Sequence, residues 1–155
     1  MKTKTKKPAW ISRNEVGAVL ILSIPTMRKL ETIGALPTAL KINGMNGWQY
    51  DLGALIVLIR AAHRPDKHMP DLPFNPANIL AGDAIMAKEA AEVLQISYSG
   101  LCKWVAYGEI PHYLFGGRSK FDPQELREWA VRAEKANRFA FGLESRGRYE
   151  KWLKG

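Results

Sequence analysis

Basic side chains beside a glycine-rich turn are the residues of this sequence best suited to bind an anion. The stretch GEIPHYLFGGRSKFD (residues 108–122) reads as two short strands around a Gly-Gly tip, with Arg118 and Lys120 just after the tip. Two glycines allow a hairpin tip to approach another backbone closely, and Arg and Lys side chains pair with phosphate oxygens. The pattern therefore favours contact with an anionic partner such as a phosphate. The alternative is a solvated turn whose charges only keep the surface polar.

Patterns for catalysis or metal binding are weak by comparison. His63, His68 and His112 are scattered and form no HxxxH pair or cluster with acids, and Cys102 is the single cysteine. GGRSK lacks the GxxxxGK[ST] spacing of a P-loop, and FGLESRG is not a G-x-S-x-G motif. We therefore expect no enzyme activity, no metal and no cofactor.

The charge balance favours a polyanionic partner. The chain of 155 residues has a formal net charge of +8, a pI of about 9.7 and 46% hydrophobic residues. Such an excess suggests nucleic acid, and less often an anionic membrane. The apolar runs GAVLIL and GALIVLI are much shorter than the roughly 20 residues that span a bilayer. We expect a cytoplasmic, nucleoid-associated protein with no membrane partner, in which one cysteine fits a reducing compartment.

The sequence repeats itself at an offset of 74 residues. Residues 11–37 align with residues 85–111 without a gap, and eight of these 27 positions are identical. Beyond Pro37 the second copy is three residues shorter, and the register returns where Tyr50-Asp51 matches Phe121-Asp122. The repeat predicts a duplicated module of about 50 residues, which is too small to be very stable alone.

The repeat divides the chain into five predicted segments. Four prolines between the copies exclude a continuous helix there, so we expect an extended and partly packed linker. The segments are a basic arm (1–8), a first module (9–63), a Pro-rich linker (64–84), a second module (85–132) and a basic, aromatic tail (133–155) that favours packing or oligomerisation.

Local signals predict the same elements in both modules: helix, short turn, capped helix, hairpin, helix. Ser23 and Ser97 are good N-caps, and Gly34 and Gly108 are good helix stops. The fold class is therefore mainly α with short β-hairpin wings. We predict first-module helices over 14–21, 24–33 and from 52, a hairpin of 36–42 with 48–50, and second-module helices over 88–94, 98–107 and 123–133.

This order and its motifs resemble a known family. AKEAAEVLQISYSGLCKWVAYGEIPHYLFGGRSKFDPQELREWA (residues 87–130) is similar to the excisionase-type, MerR-like winged helix-turn-helix, with an alanine-rich first helix, a serine-capped second helix, a G-x-I/L-P turn and a glycine-arginine wing. Residues 11–60 match the same pattern more weakly. Both copies lack the usual turn glycine, with Ile21 and Gln95 there, and the first wing has no arginine. The resemblance implies two tandem winged helix-turn-helix modules and leaves open whether the first one reads bases.

The resemblance also implies which residues contact DNA. In this family the second helix enters the major groove and the wing approaches the minor groove or phosphates. Leu101, Trp104 and Val105 are expected to face the core, so the opposite face of that helix is the reading face. The implied contacts are Tyr98, Ser99, Lys103, Arg118 and Lys120 in the second module, Thr26, Arg28 and Lys29 in the first, and Lys4, Lys6 and Lys7 in the arm, which is otherwise a solubilising tail.

The expected function is sequence-specific binding of double-stranded DNA. The resemblance favours a transcriptional regulator or an excisionase-like recombination directionality factor of a phage or mobile element. A subunit like the small terminase of phages is an alternative. A protein-interaction adaptor built on a degenerate DNA-binding scaffold is another, because Ile24 and Pro25 stand where polar contacts are usual. The partners expected besides DNA are a second copy of this chain, a recombinase or another protein.

Overall fold

The same order of secondary-structure elements occurs twice along the chain. The structure is a computed structural model that describes residues 9–136 and residue 138. The first copy comprises β1 (Trp10–Ser12), α1 (Arg13–Leu20), α2 (Ile24–Thr32), β2 (Leu40–Lys41), β3 (Trp48–Asp51) and α3 (Leu52–Ala62). Next come β4 (His63–Arg64) and a short π-helical segment (Ile79–Asp83). The second copy comprises β5 (Ile85–Met86), α4 (Ala87–Leu94), α5 (Tyr98–Ala106), β6 (His112–Phe115), β7 (Arg118–Phe121) and α6 (Pro123–Lys135).

The fold is mainly helical with small antiparallel sheets, as the sequence predicts. The first sheet has the order β1-β3-β2 and the second has the order β4-β6-β7-β5. Ile11 lies opposite Tyr50 in the first sheet, and Ile85 lies opposite Phe121 in the second, so the two copies share strand register as well as element order. Within the described part of the chain, no helix combines the length and apolarity required to span a bilayer.

Several strands differ from the predicted ones. The predicted strand 36–42 is a strand only at Leu40–Lys41, because Leu36 and Ala39 are buried in the core before the ladder begins. The short strands β1, β4 and β5 are not predicted at all. Each has two or three residues and exists only because it pairs with a hairpin strand from elsewhere in the sequence.

The two predicted serine caps are confirmed. The Ser23 hydroxyl accepts a hydrogen bond from the Thr26 backbone N–H at 3.3 Å, and the Ser97 hydroxyl accepts one from the Gly100 N–H at 3.0 Å. The turn before each cap is left-handed, with φ of 56° at Ile21 and 58° at Gln95. A β-branched residue such as isoleucine is strained in this left-handed conformation.

Ile21→Gly is therefore expected to stabilise the protein by about 1 kcal/mol, because glycine adopts this φ without the steric cost of a Cβ. Urea denaturation measures the free energy of unfolding. The matched control is Ile33→Gly, since Ile33 has a φ of −88° and a side chain that is 68% exposed. Ile33→Gly should instead destabilise the protein by about 0.5–1 kcal/mol. If both variants were stabilising, or both destabilising, the strain inferred at Ile21 would be contradicted.

The β6–β7 hairpin contributes to both hydrophobic cores. Tyr113 and Phe115 of β6 are fully buried in the cluster that also holds Val16 and Leu30 of the first module. Phe121 of β7 is fully buried in the cluster of the second module. The hairpin therefore packs into both hydrophobic cores.

The linker packs along both modules. Asp66 is buried and accepts hydrogen bonds from Trp129 Nε1 at 2.8 Å and from Arg138 at 2.7 Å. Leu72 belongs to the core cluster of the second module, whereas Ile79 belongs to that of the first. The segment between the modules therefore packs against both cores.

Phe115→Ala should destabilise the whole chain by about 3–5 kcal/mol, because it removes a buried aromatic ring from a core that two modules share. We expect one cooperative urea transition, with amide exchange accelerated in both α3 and α6. The control is Leu114→Ala on the opposite face of the same strand, where the side chain is half-buried and the loss should be smaller. Two separate transitions, or accelerated exchange in one module alone, would contradict the shared core.

Candidate nucleic-acid interface

A groove runs between α5 and the hairpin of the second module. Its walls come from both elements and from the start of α4, and its volume is about 370 Å³. Most of its lining side chains are small or polar, and three of them are basic: Lys88, Arg118 and Lys120. The lining residues include Lys88, Tyr98, Cys102, Val105, Arg118 and Ser119.

Helix α5 presents the predicted polar face to solvent. Leu101 is fully buried, and Trp104 and Val105 pack against the second core, as predicted. Tyr98 and Lys103 are exposed on the other side of the helix. Ser99 is exposed as well, with its hydroxyl 3.4 Å from that of Ser97. The structure therefore brings Tyr98 to the groove and leaves Ser99 and Lys103 free to contact a ligand on the adjacent surface.

The two cations of the hairpin have different environments. Arg118 is exposed at the tip, next to Gly117. Lys120 is only 2% exposed, and its ammonium group lies 3.4 Å from the carbonyl oxygen of Ile21 in the first module. Burial, together with the charge of Arg118, lowers the pKa of Lys120. Lys120, a predicted DNA contact, is therefore buried against the first module, whereas Arg118 is accessible.

The first module has a corresponding groove of about 410 Å³ between α2 and its own hairpin. Four of its lining residues occupy the positions equivalent to lining residues of the second groove. The equivalent pairs are Arg13 and Ala87, Arg28 and Cys102, Glu31 and Val105, and Trp48 and Ser119. The repeat therefore includes the groove, although the residue types that line it differ.

A polar network supports the first groove. Glu31 accepts two hydrogen bonds from the Arg13 guanidinium at 2.8 and 2.9 Å and one from the Tyr50 hydroxyl at 2.8 Å. Burial alone would raise the pKa of Glu31, but these hydrogen bonds outweigh it and lower the pKa below its usual value. Burial and the Glu31 charge raise the pKa of Tyr50. The equivalent triad in the second module is Ala87, Val105 and Phe121, which is apolar.

The remaining predicted contacts differ in accessibility. Arg28 and Lys29 are exposed on α2, whereas Thr26 is half-buried with its hydroxyl 2.9 Å from that of Ser23. Ile24 packs against the first core, while Pro25 is exposed. Lys4, Lys6 and Lys7 lie outside the described residues.

Sequence reasoning missed four basic or aromatic residues of these surfaces: Arg13, Lys41, Trp48 and Lys88. Trp48 is 44% exposed, and its ring lies 5.3 Å from the Arg13 guanidinium and 5.4 Å from the Lys41 ammonium group. These distances place both cations within cation–π range of one ring. The register of the repeat aligns Trp48 with Ser119, one residue beyond Arg118, and that alignment is the signal that could have identified it. No comparable feature of the sequence identifies Lys88 as part of the second groove.

Although the three histidines are scattered along the sequence, one of them, His63, lies beside an acidic side chain in the structure. His63 Nε2 lies 2.6 Å from Glu125 Oε2 in the interior, and its ring stacks on Phe74 at 3.7 Å. Burial raises the pKa of Glu125 even though His63 opposes the shift. Among the residues that the structure describes, no group of three His, Cys, Asp or Glu side chains is arranged to hold a metal ion.

Comparison with protein-family models, curated proteins and solved structures finds no match to this chain.

Glu31→Val should destabilise the protein by about 2–4 kcal/mol, since it leaves the buried Arg13 guanidinium without its carboxylate. Because the pKa of Glu31 is lowered in the folded state, its stabilising effect is full above the usual pKa of 4.5 and is lost as the pH falls through the folded pKa. The difference from wild type in urea denaturation should therefore shrink in acid.

The second module supplies the matched control for this variant. Arg13→Ala, Glu31→Val and Tyr50→Phe together install its apolar triad and remove the guanidinium and hydroxyl that Glu31→Val alone leaves unpaired, while both variants lose the acceptor of the Ala39 N–H. The triple variant should be more stable than Glu31→Val alone. A triple variant less stable than the single one would contradict this account of the network.

Proposed function

We propose that this protein binds double-stranded DNA sequence-specifically through two tandem winged helix-turn-helix modules. The observation that carries the proposal is the groove between α5 and a hairpin whose exposed tip bears Arg118. A serine-capped helix with an exposed polar face fits the major groove, and a cation at a glycine-rich tip fits phosphates or the minor groove. The net charge of +8 supports a polyanionic ligand.

Each exposed side chain has a role that follows from its chemistry. Lys103 donates to base acceptors or to phosphate, and Ser99 and Tyr98 donate to a base edge or the backbone. Arg118 binds phosphate or the minor groove. Lys120 supports the position of the hairpin from within the interface between modules. In the first module Arg28 and Lys29 on α2 are the corresponding contacts.

The biological setting we propose is a regulatory protein of a phage or mobile element. It acts as a transcriptional regulator or as an excisionase-like recombination directionality factor, and DNA packaging in the manner of a small terminase is the alternative use of the same surface. These settings rest on the resemblance of residues 87–130 to the excisionase-type family.

Selection of bound fragments from a random duplex library tests the proposal directly. We expect one enriched motif and an affinity that falls steeply with salt concentration, because phosphate contacts release counterions. No enrichment of any duplex would overturn sequence-specific binding.

Charge reversal identifies the surface. Lys103→Glu combined with Arg118→Glu should weaken binding to the selected duplex by about 100-fold or more in fluorescence anisotropy. The control is Lys67→Glu combined with Lys135→Glu, two exposed positions outside the groove with the same change in net charge. An equal loss in both double variants would mean that net charge alone, and not this surface, determines binding.

A second candidate function is docking to a partner protein through the first module. The observation that favours it is the exposed apolar surface of the first hairpin, where Leu40, Met45 and Trp48 are each more than 40% exposed. Under this alternative the double variant at Lys103 and Arg118 retains its partner, and Trp48→Ala loses it. Retention of DNA binding by Trp48→Ala would separate the two functions.

A further inference from the structure

The second hairpin touches the helices of both modules. On one side, Gly117, Arg118 and Ser119 line the groove with Tyr98 and Cys102 of α5. On the other side, a Cβ added at Gly116 would lie 2.5 Å from Leu30 Cδ2 of α2. Leu30 is 3% exposed, so it has little room to move away. The hairpin tip is therefore held between the two helices that are candidates for base reading.

Strand register places Lys120 of the hairpin on the side of the first module. Phe115 lies directly opposite Arg118, and Tyr113 lies opposite Lys120. Side chains of directly opposed residues share a face of the sheet. Because Tyr113 and Phe115 are buried in the first core, Lys120 projects from the face that the first module covers, whereas Arg118 at the tip lines the groove with α5. Lys120 reaches the Ile21 carbonyl there, while Arg118, nearer the tip, remains exposed.

The first module lacks an arginine in its own hairpin. The segment NGMNG between β2 and β3 carries no charge. The second hairpin, whose tip lies against Leu30 of α2, carries in Arg118 the kind of cation that the first hairpin lacks. The close approach of Gly116 to Leu30 holds the hairpin tip beside α2.

We propose that the β6–β7 hairpin is a wing shared by α2 and α5, so that both helices form one rigid surface that reads a single DNA segment with fixed half-site spacing. The inference rests on the proposed function and adds to it the geometry of the target. Two modules joined by a flexible linker tolerate changes in spacing, whereas a hairpin packed into both cores does not allow the helices to separate.

The test is a series of duplexes in which the spacing of the selected motif is varied. Insertion of about 5 bp, near half a helical turn, should reduce wild-type affinity by about two orders of magnitude, to that of one half-site. Unchanged affinity across the series would overturn the shared wing and leave DNA binding intact. Selection of a motif with a single half-site would also overturn the shared wing and leave DNA binding intact. Binding to no duplex would overturn the proposed function and the shared wing together.

Two adjacent glycines provide matched variants for the contact itself. Gly116 and Gly117 both have positive φ, of 56° and 87°, so alanine strains the backbone at either position. Only Gly116 lies against Leu30, since a Cβ at Gly117 would have no heavy atom within 4 Å. Gly116→Ala should weaken binding at the natural spacing and flatten the dependence on spacing, while Gly117→Ala should keep the wild-type dependence. Identical profiles for the two variants would overturn the role of this contact.

Discussion

The β6–β7 hairpin contributes side chains to two hydrophobic cores, and the arrangement of both modules depends on it. Tyr113 and Phe115 are fully buried among first-module residues, and Phe121 is fully buried in the second module. Such a hairpin cannot move relative to either core without exposing aromatic surface to water. Because a unit of about 50 residues buries too little surface to be very stable alone, the shared hairpin stabilises both modules at once.

The helices could be predicted from the sequence because their signals are local. Ser23 and Ser97 cap the helices that follow them, and the apolar spacing around Leu101 identifies the buried face of α5. The exposed positions of Lys103 and Arg118 follow from the same periodicity and turn chemistry. These features involve residues within a few positions of each other, so a single sequence contains the information.

The contacts between modules could not be predicted, because sequence patterns do not state which element covers a given face. Lys120 donates to a carbonyl 99 positions away, and His63 meets Glu125 across 62 positions. The alternation along β7 indicates two faces, but only the packed structure shows that one of them meets the first module. The same reason explains why the sequence indicated Arg28 but neither Arg13 nor Glu31 as part of the first groove, since those two residues are 18 positions apart.

The different triads of the two copies have a consequence for folding. A tandem duplication risks strand exchange between copies, in which β3 and β7 take each other's place. Phe121 in the position of Tyr50 would deprive Glu31 of a hydrogen bond, and Tyr50 among Ala87 and Val105 would bury a hydroxyl with no acceptor. Each exchanged arrangement therefore costs free energy that the native one does not. The chemical divergence of the copies acts against misfolding by keeping each strand with its own helices.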